Sequence, residues 1–409
     1  MFKIIAIALL TVLFLFELFV NVFRNKSRSR PIPEPLNDVY DSGQYIKWKN
    51  YYAENIIVDI IFSSISYAVV LSILISDVFA FITKGIDNIY VSAIVVISIY
   101  LGITSFVSFI DNVVTNKKIE QKYGFNKATM GTIIADAIKS LIISYALSIG
   151  LLCLFIVLYE NMGDYILVLF SAIVVLLLLA FIFLYPLFSK IFNKFTPLPE
   201  GELRTKLINL LNKYGYKVKN INVMNASKRT SKSNAYFSGF GKSKVIVLFD
   251  NLLETVDEDE IVAIFAHEMG HGLHKDTLKT SITSFVSIVV FVVLAWLLAK
   301  FPEIYKDFGF EGLNYGFGTI LLVNCVIPFA ALIFSFIRSY FARRAEYKAD
   351  EQAVKEGYGE QLISGLKKMY RKDFGDLNPH PFVVLLSYSH PTLLQRIEHI
   401  REYEKTFNQ

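Results

Sequence analysis

The sequence His267-Glu268-Met269-Gly270-His271 lies within residues 257–273, a segment with the composition of a helix. Residues four apart on a helix share a face, so His267 and His271 can bind one metal ion together. Glu268 follows directly and can face that ion without binding it, as a general base does. Two histidines and a glutamate in this pattern are typical of a zinc peptidase.

The same pattern also arises by chance on exposed helices, where it has no function. Here the apolar run 261–266 precedes it, which indicates a buried helix. Burying two histidines and a glutamate without partners costs several kcal/mol. A bound zinc ion removes that cost, so we predict one zinc ion per chain.

Long apolar blocks surround this motif. Of 409 residues, 54% are hydrophobic and 19% charged, whereas soluble domains carry about 25% charged residues. Each block approaches the roughly 20 residues that a helix needs to cross a bilayer. The seven blocks are 4–23, 60–82, 90–110, 141–159, 165–185, 282–298 and 317–336. We predict a mainly α-helical, multi-pass membrane protein whose first block is a retained anchor.

Basic residues indicate the orientation of these blocks. They cluster after the first block and between the third and fourth: Arg24, Lys26, Arg28, Arg30, Lys117, Lys118, Lys122, Lys127 and Lys139. Basic loops stay in the cytoplasm, so 190–279 and 338–409 are both predicted to be cytoplasmic. The net charge of +5 reflects this bias. No basic stripe interleaved with aromatic residues indicates a nucleic-acid partner.

The polar segment after the fifth block has mixed secondary structure. Helical spacing of leucines predicts a helix over 200–213, and alternation predicts strands over 218–224, 235–240 and 244–249. The chain then divides into a five-helix membrane domain (1–190), a catalytic segment (191–280), membrane helices six and seven (281–337), and a helical segment that completes the active site (338–409).

A catalytic zinc ion needs a third protein ligand and one open position. Glu346 and Asp350 follow the last apolar block and lie one helical turn apart. Glu346 is a candidate third ligand, and Asp350 is a candidate to hydrogen-bond one of the ligand histidines. His274 is a rival ligand, but it would face the ion poorly, so we interpret it as a supporting or surface residue.

These motifs, taken together, resemble the type I CAAX prenyl proteases, which are membrane-embedded zinc metallopeptidases. The resemblance covers nearly the whole chain. Besides His267–His271 and the segment from Glu346 to Asp350, it rests on Arg30-Pro31-Ile32-Pro33, Val39-Tyr40-Asp41, Tyr123-Gly124-Phe125-Asn126-Lys127, Ser233-Asn234-Ala235-Tyr236-Phe237 and Ser389-His390-Pro391-Thr392-Leu393-Leu394.

The resemblance implies seven membrane helices around an intramembrane chamber, with a small zincin-like α+β domain on the cytoplasmic side. It implies the zinc ligands His267, His271 and Glu346, with Glu268 as base and acid. It further implies catalytic or substrate-binding roles for Asn234, His390 and Arg396. The chain departs from the family pattern at Asp276, where histidine is frequent, and at Thr392 and Gln395, which replace proline and glutamate.

The expected function is that of an integral-membrane zinc endopeptidase. It would cleave peptide bonds near the C-terminus of prenylated CAAX-type or other membrane-associated peptides. One alternative is a quality-control protease for membrane proteins, and another is a scaffold or transporter with structural zinc. A structural site would have four protein ligands, whereas this sequence offers three. The compact chain favours a bacterial cytoplasmic membrane; a eukaryotic source would place it in the endoplasmic reticulum.

Overall fold

The structure, a computed structural model, describes residues 1–232, 234–238 and 243–407. Most of these residues are helical, as predicted. The helices are α1 Phe2–Ser27, α2 Ser42–Ile75, α3 Val78–Thr83, α4 Ile89–Val114, α5 Met130–Met162, α6 Ile166–Phe192, α7 Glu202–Lys213, α8 Asp250–Leu253, α9 Glu258–Leu273, α10 Asp276–Lys300, α11 Glu303–Lys306, α12 Tyr315–Leu321, α13 Ile327–Lys355, α14 Gly359–Asp373, α15 Pro381–Ser387 and α16 Leu393–Phe407. The strands are β1 Phe195–Pro197, β2 Lys217–Met224, β3 Ala235–Ser238 and β4 Ser243–Phe249.

Six helical stretches in the described residues are long and apolar enough to span a membrane, one fewer than predicted. They are Phe2–Ser27, Ser42–Ile75, Ile89–Glu120, Met130–Ala180, Leu278–Lys300 and Tyr315–Lys355. The predicted block four and most of the predicted block five lie in Met130–Ala180. Only the short 3-10 turn Gly163–Tyr165 separates the two, so length and composition alone count them as one stretch.

That turn reverses the chain, and α5 packs against α6. Near the start of α5, the Lys139 ammonium lies 3.4 Å from the carbonyl oxygen of Ile191, near the end of α6. At the turn itself, Asp164 accepts hydrogen bonds from Trp296 and Lys300 at the end of α10. Gly163 has φ +55°, a conformation that L-residues rarely adopt, which explains a glycine at this reversal.

Ion pairs show which loops share one end of the helix bundle. The N-terminal ammonium lies 2.6 Å from Asp307, which follows α11. Lys3 lies 2.6 Å from Asp77, in the connection between α2 and α3. The α5–α6 turn joins the same end through Asp164. The basic loops and the H-E-x-x-H helix therefore lie at the opposite end.

A cavity of about 490 Å³ opens between α1, α2, α4 and the π-helical turn Leu322–Val326, which joins α12 to α13. Its lining is polar for a membrane-embedded region: Glu17, Asp59, Ser63, Ser66, Thr104 and Asp111 contribute to it. Acidic groups within membrane helices usually face an interior or water. Acidic and hydroxyl side chains of α1, α2 and α4 therefore meet at this cavity.

The small sheet in the described residues has the order β1-β2-β4-β3. β2 and β4 are parallel. β1 pairs antiparallel with β2, and β3 pairs antiparallel with β4. The predicted strands agree to within a residue at most boundaries, but β1 was not predicted. β3 ends at Ser238 in the described residues, and the predicted end at 240 lies outside them.

The segment between α1 and α2 holds the C-terminal helices in place. Leu36, Val39 and Tyr40 are buried in the same hydrophobic core as α7, α9, α14 and α16. The Tyr40 hydroxyl lies 2.9 Å from the carbonyl oxygen of Tyr370 and 2.8 Å from that of Gly375. This contact gives the motif of residues 30–41 a structural role, because it joins the N-terminal segment to the helices that complete the site.

Candidate metal centre

Helix α9 is well defined at its start and buried along its middle. Asp257 caps it, and Glu260 closes a capping box with the Asp257 backbone. This reciprocal arrangement satisfies two backbone N–H groups that a helix otherwise leaves free. Residues 261–266 are all buried, as their apolar composition predicts. The helix therefore presents His267 and His271 from a rigid element.

Both imidazoles point their Nε2 atoms at one carboxylate. Glu346 Oε2 lies 3.6 Å from His267 Nε2, and Glu346 Oε1 lies 3.3 Å from His271 Nε2. The ligand atoms of the three residues all lie within 4.8 Å of one another. The structure thus brings together the three predicted ligands from two distant parts of the sequence.

Gly270 allows α9 and α13 to approach closely enough for this arrangement. A Cβ atom at Gly270 would lie 2.8 Å from the Cα of Ala349 and 3.0 Å from the Cβ of Gln352. Real Cβ atoms are not found so close to backbone. The glycine between the two histidines is therefore required by the packing of the helix that carries Glu346.

Replacing Gly270 with alanine should destabilise the protein by about 1–3 kcal/mol, because the two helices must separate. The gain in helix propensity, about 1 kcal/mol, is too small to reverse this. Thermal unfolding of the detergent-solubilised protein measures the effect. Gly365→Ala is the matched control: α14 also packs against α9, but a methyl group there meets no atom closer than 3.4 Å. Equal stability of the two variants would contradict the close approach.

Asp350 and Arg396 form a buried pair behind His267. Asp350 is fully buried and Arg396 is 7% exposed. The guanidinium donates to both carboxylate oxygens, with distances of 2.6 and 3.0 Å. Asp350 Oδ1 also lies 2.9 Å from His267 Nδ1. If Nε2 held a metal, Nδ1 would carry the proton and Asp350 would accept a hydrogen bond from it, so Asp350 lies where the predicted supporting role requires.

Arg396 lies in the buried layer rather than on an open face of the site. Its Nη2 is 3.2 Å from His267 Nδ1, and its Nη1 is 3.6 Å from Glu346 Oε2. The start of α16 is held by a reciprocal cap between Thr392 and Gln395, at 2.9 and 3.2 Å. Thr392 and Gln395, two of the three departures from the family pattern, therefore form a capping box at the start of the helix that carries Arg396.

His271 has a carboxylate partner that the sequence did not reveal. Its Nδ1 lies 3.1 Å from Asp276 Oδ2. Burial alone would lower the pKa of His271, but hydrogen bonds to Glu346 and Asp276 outweigh burial and raise this pKa to about 9. Only a neutral imidazole binds zinc, so protonation competes with the metal and zinc affinity falls as the pH decreases.

Glu268 and His390 occupy the accessible part of the site. Glu268 is half-buried, unlike the buried residues on either side of it. The His390 side chain is 62% exposed, with its Nε2 3.3 Å from Glu346 Oε1. Ser389 Oγ lies 2.9 Å from His390 Nδ1 and can orient the ring. Both residues can therefore reach a molecule that enters beside the histidines.

Asn234 and His274 lie outside the ligand cluster. Asn234 is exposed at the start of β3, and its Oδ1 accepts a hydrogen bond from the N–H of Ala235. Ser233, which precedes it in the family motif, lies outside the described residues. His274 terminates α9 and is half-buried. In the described residues only His267, His271 and Glu346 form a group that can hold a metal.

This donor set fits zinc. Two imidazoles and one carboxylate are the ligands of a catalytic zinc site, which keeps a fourth position open. Glu346 Oε2 is buried and has no hydrogen-bond partner among the described residues. The Arg396 guanidinium, 3.6 Å away, is too distant to donate a hydrogen bond to this oxygen, and a buried carboxylate oxygen without a hydrogen bond is costly. A zinc ion held by the three side chains would remove that cost.

Comparisons with known proteins match this architecture over nearly the whole chain. Residues 197–404 match the model of peptidase family M48. Residues 21–194 match the CAAX prenyl protease N-terminal domain, which is described as five membrane helices. The junction between the two matches falls within β1, where the membrane helices are followed by the sheet.

Individual relatives agree with the family matches. The chain is 34% identical to a CAAX prenyl protease 1 homolog of Oryza sativa over 69% of this chain and 67% of that protein. It is 33% identical to CAAX prenyl protease 1 of Saccharomyces cerevisiae over 68% of this chain and 65% of that protein. The crystal structure of S. mikatae Ste24p superposes with a TM-score of 0.88 at 27% identity, covering 98% of each chain.

The His-His-Glu cluster, the membrane helices and these matches all lead to one assignment, which confirms the family indicated by the sequence motifs. The chain belongs to peptidase family M48, within the CAAX prenyl proteases, and is a multi-pass membrane zinc metalloprotease.

Proposed function

We propose that this protease hydrolyses peptide bonds near the C-terminus of prenylated CAAX-type or other membrane-associated peptides, at the cytoplasmic face of its membrane. The observation that carries the proposal is the His267, His271 and Glu346 cluster at the mouth of a membrane-embedded helix bundle. Relatives over most of the chain are named CAAX prenyl proteases. A lipid-attached peptide can keep its lipid within the bilayer while its backbone reaches the zinc.

The cytoplasmic orientation is supported by charge and by geometry. The cluster lies at the bundle end opposite the N-terminal ammonium and Asp307. Arg24 and Lys26 lie in the last turn of α1, at the same end as the cluster. Lys117 and Lys118, which follow α4, extend this basic border. Basic residues at membrane borders are retained in the cytoplasm. The same orientation applies in a bacterial cytoplasmic membrane or in the endoplasmic reticulum.

In this proposal His267, His271 and Glu346 hold zinc, which when bound supplies a Lewis acid that polarises the peptide carbonyl and acidifies water. Glu268 takes the proton of the attacking water and then gives it to the leaving amine. His390 donates a hydrogen bond to the developing oxyanion, since its ring reaches the open side of Glu346. Asp350 and Arg396 hold His267 in the required tautomer.

The sheet limits where an extended substrate can add as a further strand. β4 lies between β2 and β3, which excludes it as an edge. β3 is the edge strand that packs against α9. We propose that the substrate backbone pairs with β3, a common mode of peptide recognition. Asn234, exposed at the start of this strand, would then contact the substrate.

A farnesylated CAAX peptide and a chelator test the proposed activity. The purified protein in lipid vesicles should cleave the peptide; phenanthroline should reduce cleavage to background, and added zinc should restore it. The metal supplies several kcal/mol of transition-state stabilisation, so its removal leaves little activity. Mass spectrometry of the products identifies the cleaved bond.

Two controls define the outcome. The same peptide without its farnesyl group should be cleaved more slowly, since it lacks the membrane anchor. Equal rates for both peptides would argue against lipid recognition. Activity that persists with chelator, at a measured loss of zinc, would contradict the zinc mechanism. Preferential cleavage of an unfolded membrane-protein fragment would favour quality control instead.

A further inference from the structure

A second carboxylate lies against the zinc cluster, on the side of His271 away from Glu346. Asp276 Oδ2 is 3.1 Å from His271 Nδ1, while His271 Nε2 lies 3.3 Å from Glu346 Oε1. The Asp276 side chain is only 13% exposed. Its other oxygen accepts a hydrogen bond from Lys279 at 2.8 Å. Each nitrogen of the His271 ring therefore faces a different carboxylate.

We propose that Asp276 is the positioning residue of His271: it fixes the proton on Nδ1 and leaves Nε2 free for zinc. A carboxylate that accepts from a ligand histidine orients the ring and makes its metal-binding nitrogen more basic. Asp276 touches neither metal nor substrate, so it acts only through His271.

The backbone between α9 and α10 brings Asp276 back towards the site. α9 ends at Leu273, and α10 begins at Asp276. Lys275, between them, has φ +56° and ψ +35°, the left-handed conformation. This conformation costs a residue with a side chain roughly 1–2 kcal/mol. Strain of this kind persists where surrounding contacts require it, and the His271–Asp276 contact is one such requirement.

The second ligand histidine has the same arrangement. Asp350 lies 2.9 Å from His267 Nδ1 and is held there by Arg396. Asp276 repeats this geometry at His271, with Lys279 in place of the arginine. The two partners come from different elements, α13 and α10, so the repetition does not follow from one helix periodicity. Both ligand imidazoles thus have a carboxylate that selects the same tautomer.

A simpler role for Asp276 must be separated from this one. It is the first residue of α10, where an acid interacts favourably with the helix dipole, and it pairs with Lys279 three residues later. Those interactions stabilise α10 without affecting zinc. Glu202 has this simpler role elsewhere: it begins α7, pairs with Lys206 at 2.7 Å and is 72% exposed.

Zinc affinity separates the two roles. Competition with a chromophoric zinc chelator, well below each variant's unfolding temperature, should show Asp276→Ala binding zinc about 10- to 100-fold more weakly than the unmodified protein. Asp276→Asn keeps the shape and one acceptor oxygen but not the charge, so its zinc affinity should lie between those of Asp276→Ala and the unmodified protein. Cobalt substitution gives an independent readout, because its visible spectrum responds to a change in ligand geometry.

The controls are Glu202→Gln, which removes a helix-start acid, and Lys279→Met, which removes the outer partner of Asp276. Both should leave zinc affinity within about fivefold, the range of an exposed ion pair. Unchanged zinc affinity in Asp276→Asn and Asp276→Ala would overturn the proposal, as would an equal loss in Glu202→Gln. The assay measures zinc binding and needs no substrate, so it tests the proposed role of Asp276 even if the farnesylated peptide is not cleaved.

Discussion

Glu268→Gln should lower kcat for peptide cleavage by about 10²- to 10⁴-fold, the usual contribution of a general acid–base residue. The amide is nearly the same size as the carboxylate but cannot take a proton from water. Glu268 is half-buried on the accessible side of α9, whereas His267 and Met269 beside it are buried. The zinc content should not change, because Glu268 is not among the residues that form the ligand cluster.

The measurement is kcat together with zinc per chain for the same preparation. Glu258→Gln is the matched control: it makes the same chemical change in the exposed first turn of the same helix. That variant should keep its activity. A Glu268→Gln protein that holds zinc and cleaves at the rate of the unmodified protein would eliminate Glu268 as the base.

The sequence predicts the local elements of the site well, because each rests on short-range periodicity. The spacing of His267 and His271 and the apolar run before them predict a buried helix with both imidazoles on one side, and α9 has this geometry. The acids at Glu346 and Asp350 lie one turn apart, so they had to share a face of α13. Glu346 faces the Nε2 atoms of the histidines, and Asp350 lies on the Nδ1 side of His267.

The meeting of α9 with α13 was harder to predict, since no short-range pattern relates two helices separated by membrane spans. Gly270 carries a signal of it, because a glycine within a helix costs about 1 kcal/mol unless packing requires it. Its contact with Ala349 shows that packing. The identity of its neighbour could not be read from the motif itself.

Asp276 shows where local reasoning fails. It follows His271 by a distance that a continuing helix would carry round to another face. The left-handed Lys275 breaks the helix and returns Asp276 to His271. Glycine or asparagine usually marks such a conformation, and lysine does not. The order of the strands in the sheet could not be predicted either, because alternation predicts a strand but not which strands pair with it.

The count of membrane spans depended on a similar detail. A tight turn at Gly163 joins α5 and α6 with hardly any polar sequence between them, so length and composition alone treat 130–180 as one stretch. The contact between Lys139 and the end of α6 shows the reversal. The backbone conformation of the single residue Gly163 thus decides whether this apolar sequence forms one long helix or the two helices α5 and α6.

Arg396→Met should be among the most destabilising single substitutions outside the ligands, by about 3–5 kcal/mol. It leaves Asp350 charged, fully buried and without its guanidinium partner. The thermal unfolding midpoint in detergent should fall far more than for Arg401→Met. Arg401, on the same helix, forms an exposed pair with Glu360 at 3.4 Å. Exposed pairs contribute about 0–1 kcal/mol.

The double variant Asp350→Leu/Arg396→Met distinguishes stability from function. Replacing a buried ion pair by apolar side chains of similar volume is often neutral or stabilising, so much of the lost stability should return. Zinc affinity should not return, because His267 Nδ1 no longer has the carboxylate that lies 2.9 Å away, and loss of such a partner weakens binding about 10- to 100-fold. If stability and zinc affinity recovered together, the pair would serve the fold alone. If only stability recovers, the buried pair is retained for the orientation of His267, at the expense of a more stable apolar core.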